Sequence, residues 1–135
     1  MKSQSLFIAT AVLEMATGVA LVVMPGNVVP LLLGGSLDAP GALVVARIAG
    51  VALLALGLAC WLARRDGASR AGQGLIAAML LYNVAVAAVL ARYGFGSGTT
   101  GTGLWPTVSV HSILAAWCIK GLLQRDPSTT DVQRP

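Results

Sequence analysis

Four side chains hold most of the chemistry this sequence offers: Glu14, Arg47, Asn83 and His111 each interrupt a run of residues otherwise apolar enough for hydrocarbon. An ionisable group at bilayer depth costs at least about 2.5 kcal/mol, so it persists there only when paired, solvated or used. Drawn into one buried cluster, a carboxyl, a guanidinium, an amide and an imidazole can fix helix packing, bind a ligand or pass a proton. Counting along each run puts Glu14 and Asn83 near the bilayer centre. Arg47 and His111 fall in the outer third, about 5 residues or roughly 7–8 Å inside the boundary. Consecutive helices are usually neighbours and an arginine side chain is long, so an ion pair between Glu14 and Arg47 is expected.

Each residue also has a plainer role. The Glu14–Arg47 pair can serve only to set helix register, the alternatives being a proton or ligand role or a subunit contact. His111, the single histidine of the chain, is most simply a hydrogen-bonded packing residue, and alone it excludes bis-histidine haem ligation within one subunit. Asn83 reads as an interhelical hydrogen-bonding group. Arg47 can instead snorkel to the outer surface and meet a lipid phosphate. Faces are legible too. Thr10, Glu14, Thr17 and Gly18 share one side of their helix. Arg47, Gly50, Leu54, Gly57 and Trp61 form a heptad-like stripe, where Gly50 and Gly57 leave room for a close neighbour. Thr107, His111, Leu114, Ala115 and Cys118 share a third face.

Several kinds of chemistry are not indicated. No HExxH, GxSxG, GxxxxGK[ST], aspartate-rich or Ser–Lys pattern occurs, so the expectation is a non-enzyme with no cofactor and no bound metal. Cys60 and Cys118 each adjoin a tryptophan without metal-ligand or CxxC spacing. The net charge of +4 raises the question of nucleic acid. Its basic residues gather at the ends of apolar runs rather than in a patch with aromatics, and nucleic-acid binding is not expected.

The elements that must position these groups follow from composition. Apolar residues make up 56% of the 135 and charged residues only 10%, whereas a water-soluble domain carries about 25% charged. The expectation is therefore an all-α integral membrane four-helix bundle, occupying 1–123, with helices over about 5–24, 42–63, 74–91 and 106–123. The faint resemblance of the first run to a signal peptide is broken by Glu14, so it reads as a retained helix. Between the first two helices, the residues over 28–33 are too few to cross and should lie at the interface or fold back over the bundle. The Gly-, Ser- and Thr-rich stretch 94–103 reads as a flexible loop, and 124–135 as a polar cytoplasmic tail.

Orientation follows from charge. Lys2, Arg64, Arg65, Arg70, Lys120, Arg125 and Arg134 fall on one side of a four-span chain, with only Arg92 and Asp38 on the other. The positive-inside rule then places both termini in the cytoplasm of a bacterial inner membrane. Trp61, Trp105 and Trp117 fall near helix ends, at interfacial depth, and both cysteines near the reducing face.

The stretch around Arg47, Gly50 and Gly57 resembles the second helix of small four-helix bacterial membrane proteins of DoxX-like type. That resemblance implies the topology and no particular activity. In carrying one carboxylate near the middle of its first helix, Glu14, the chain also looks like the small multidrug resistance family of dimeric proton-coupled exporters. It departs from that family in having Arg47, in lacking the aromatic–glycine motif of the third helix, and in lacking the glycine heptad of the fourth. Two functional expectations result. One is a non-enzymatic accessory or scaffold component of the lipid bilayer, alone, in a homodimer or within a larger membrane complex. The other is a proton-coupled transporter or ligand binder that uses Glu14.

Overall fold

The computed structural model describes residues 2–98 and 100–124. Among them the chain is all helical, with five helices: α1 (Lys2–Val23), α2 (Pro25–Leu33), α3 (Pro40–Ala63), α4 (Arg70–Gly96) and α5 (Leu104–Leu123). Four of these, all but α2, are long and apolar enough to cross a membrane. The tail expected over 124–135 lies, from 125 on, outside the described residues.

The long helices form two side-by-side pairs, α1 with α3 and α4 with α5. Within the first, backbones approach as closely as glycine permits. A Cβ on Gly18 would come 2.8 Å from the Gly50 carbonyl oxygen, and one on Gly50 would come 2.8 Å from that of Gly18. A Cβ on Gly57 would come 2.6 Å from Met15 Cγ and 3.1 Å from the Ala11 oxygen. Close backbone approach of this kind is a usual packing device between apolar helices. α1 is the central helix. In its apolar window 39% of residues are buried, against 17–22% in the other three.

The bundle is layered along its axis. At one end Leu6, Phe7 and Ala11 of α1 meet Cys60 of α3, Ile76 and Met79 of α4, and Leu114 and Cys118 of α5 in a single apolar core. The α3–α4 turn packs there, with Gly67 against Ser3 and Phe7, and Ser3 and Gln124 line one shallow cavity. The start of α1 and the end of α5 are therefore neighbours. Arg64 lies over the ring of Trp61, 4.3 Å from its centroid, an amphipathic pair at the helix end.

α1 and α3 begin two or three residues earlier than the sequence pattern suggests, and three other elements differ from it for local reasons. α4 runs over Arg70–Gly96 rather than 74–91. Ser69 caps it by accepting the Gly72 N–H at 2.9 Å, and Phe95 continues it by packing edge-on against Trp105, ring centroids 5.1 Å apart. α5 starts at Leu104, which leaves Pro106 in the first turn, where its missing N–H is no loss. The segment after α1 forms a fifth helix, α2, with Pro25 in its first turn and a left-handed Gly34 (φ 78°) at its end.

The glycine-rich stretch expected as a flexible loop has a defined task. Its backbone satisfies carbonyls that α2 leaves free at its C-terminus: Gly103 N–H donates to Leu31 (2.9 Å) and Gly101 N–H to Leu32 (3.2 Å). The Tyr93 hydroxyl adds a third bond, to Leu33 at 2.9 Å. A Cβ on Gly101 would overlap the Leu31 carbonyl. Here glycine serves close approach.

Candidate functional site

Between the apolar core and the Gly18–Gly50 contact lies a polar layer. Glu14 is 2% exposed, Asn83 0%, His111 7% and Thr10 1%. The site is built from two hydrogen-bonded groups that meet ring to ring. In the first, the Tyr82 hydroxyl reaches from α4 and donates to Glu14 Oε2 at 3.1 Å. In the second, Asn83 Nδ2 donates to the Met79 carbonyl at 2.8 Å, and Asn83 Oδ1 lies 2.7 Å from His111 Nδ1. The Tyr82 and His111 rings stand edge to face, centroids 5.6 Å apart.

The second group fixes its own protons. The Met79 carbonyl only accepts, so the Asn83 amide must turn its nitrogen toward it and its oxygen toward His111. The bond to His111 then requires a proton on Nδ1. The amide thus engages both its nitrogen and its oxygen, and Nε2 is the ring nitrogen left to meet another group.

The first group is incomplete. Glu14 Oε1 and Thr10 Oγ1 are buried without a hydrogen-bond partner among the described residues, although both lie on the same side of α1. A buried carboxyl oxygen without a donor is costly in low dielectric.

Three of the four residues singled out in the sequence therefore meet, and the fourth does not. Arg47 is exposed, and its Nε–H donates to the Val22 carbonyl at 3.3 Å. The expected Glu14–Arg47 pair is absent among the described residues. Glycine register is the reason. With Gly18 against Gly50, and Gly57 against Met15 and Ala11, antiparallel packing puts Arg47 level with Leu21 and Val22. That is two helical turns, about 10 Å, from Glu14. Tyr82 takes the place expected of Arg47 as the partner of Glu14. A signal for it was present: tyrosine favours the membrane–water interface, and Tyr82 stands in the middle of an apolar run, beside Asn83.

Cys60 and Cys118 are buried free thiols in the apolar layer below. Among the described residues no three His, Cys, Asp or Glu side chains gather as a metal would need. No protein-family model, curated protein or solved structure matches the chain.

Proposed function

We propose that this chain is a non-enzymatic, multi-pass protein of a bacterial inner membrane, with both termini cytoplasmic, and that Glu14 is the working group of a ligand- or proton-handling site between its two helix pairs. The observation that carries the reading is the state of that carboxyl: buried, held by Tyr82 through one oxygen, with the other oxygen and Thr10 unpartnered among the described residues. A carboxylate kept only to set register would be expected to have its cation beside it. Arg47, the candidate cation, lies two turns away. An ionisable group retained at depth without such a partner is more readily explained by use than by packing.

A second reading, an accessory or scaffold component in a larger membrane complex or homodimer, is favoured by the other half of the layer. The Met79–Asn83–His111 chain is closed through the amide and joins α4 to α5 without calling for a ligand.

Proteoliposomes loaded with a pH-sensitive dye and challenged with a panel of small apolar cations and neutral solutes separate the two. Glu14→Gln preserves an acceptor for Tyr82 while removing the titratable group. A solute-dependent proton flux that this variant abolishes, at unchanged Tm, is the expected result. No flux across the panel, together with Glu14→Gln at least as stable as the parent and still bound to the same copurifying partners, would sink the working-site reading in favour of the scaffold.

A further inference from the structure

Arg47 takes no part in the polar layer, and its surroundings indicate what it meets. Its Nε–H is spent on the Val22 carbonyl, one of the last four of α1 and so without a helical donor of its own. That bond pins the guanidinium edgewise and leaves both terminal amino groups without an acceptor among the described residues. Around it on α3, Val44, Val45, Ile48 and Val51 are 54–66% exposed. No described residue supplies an acceptor for this fork, and the surface around it is apolar, so a group that brings both an acceptor and apolar chains fits it. Depth agrees. Arg47 lies about 10 Å along α3 from its Pro40 end, a distance that a snorkelling arginine largely spans, and α2 packs on α1 and α3 at that same end.

We propose that Arg47 binds the phosphodiester of a phospholipid in the leaflet at the α2 end, its two amino groups clamping two phosphate oxygens while the acyl chains lie along Val44, Ile48 and Val51. A planar fork fits phosphate bidentately, which an ammonium does not. The assignment rests on the membrane placement proposed above and is independent of any role for Glu14.

The test is native mass spectrometry of the detergent-purified chain, titrated with phosphatidylglycerol and with diacylglycerol of the same acyl chains. Phosphatidylglycerol should form the tighter adduct, and inorganic phosphate should not displace it. Arg47→Gln retains a donor for Val22 but loses the charged fork, and should weaken that adduct about tenfold, with Arg47→Lys intermediate. Arg65→Gln, at the opposite end, should leave it unchanged. Equal affinity in the parent and Arg47→Gln overturns the assignment. So does displacement by inorganic phosphate, which marks a free-anion site, or an equal loss in Arg65→Gln, which marks general charge attraction. Recovery of the chain outside carbonate-washed membranes overturns the membrane placement as well, whereas normal recovery with unchanged adducts overturns the lipid clamp alone.

Discussion

At the scale of single residues, the polar layer divides into a satisfied half and an unsatisfied half, and substitutions should separate them. Tyr82→Phe takes the donor from Glu14 Oε2 and leaves a buried carboxyl with no partner on either oxygen. A loss of about 1 kcal/mol is expected in thermal or denaturant unfolding in bicelles, the usual size for an interhelical hydrogen bond in a membrane. Glu14→Gln retains the acceptor and should cost nothing or stabilise. A fall comparable to that of Tyr82→Phe would mean that the charge itself holds the layer together. The His111 proton offers a separate check by nitrogen NMR. The parent should show a proton on Nδ1, and Asn83→Leu, which deletes the acceptor that requires it, should let the other tautomer appear. An Nε2–H imidazole in the parent would refute the Asn83 assignment. The identity of the polar side chains was legible in the sequence because lipid makes them conspicuous. Their pairing was not, since depth counted from helix ends carries an error of about a turn on each helix, and the two errors together match the two turns that separate Arg47 from Glu14.

Helix packing turns on a few glycines, and their neighbours rank the cost of replacing them. The Cβ of Gly18→Ala would meet the Gly50 carbonyl oxygen and that of Gly50→Ala the Gly18 oxygen, each at 2.8 Å, so α1 and α3 must part. Gly57→Ala would meet Met15 Cγ at 2.6 Å and the Ala11 oxygen at 3.1 Å. There the nearest backbone atoms, the Ala11 oxygen and the Met15 nitrogen, stand at 3.1 Å rather than 2.8 Å, and Met15 Cγ can move with χ1. Both Gly18→Ala and Gly50→Ala should therefore destabilise by at least about 1–3 kcal/mol, as overpacking does, and Gly57→Ala by less. Unfolding of the three variants in one detergent gives the order, and a Gly57→Ala as damaging as the other two would contradict it. The Gly50 and Gly57 contact was readable from heptad spacing on one helix. The clamp of Gly101 and Gly103 on α2 was not, because composition alone does not separate glycine used for close approach from glycine used for freedom.

For the whole molecule, the four apolar runs were evident from composition, since 10% charged residues cannot wet a domain of this length. The layering had no such signature. It arises because the glycine register and the large side chains Leu6, Phe7, Ile76 and Met79 fill one end, pushing the polar groups toward the middle. One consequence is measurable. Cys60 and Cys118 come from different helix pairs and are both 0% exposed in the apolar layer, so neither should react with a water-soluble maleimide in intact membranes, and both should react once the chain is unfolded in strong detergent. Their labelling then reports opening of that layer. Gly18→Leu, which forces α1 away from α3, should raise the Cys60 rate more than the Cys118 rate, because Cys60 sits on the helix that is displaced while Cys118 stays packed between α4 and α1. Equal acceleration of both thiols would mean that the bundle opens as one unit rather than by displacement of α3 from α1.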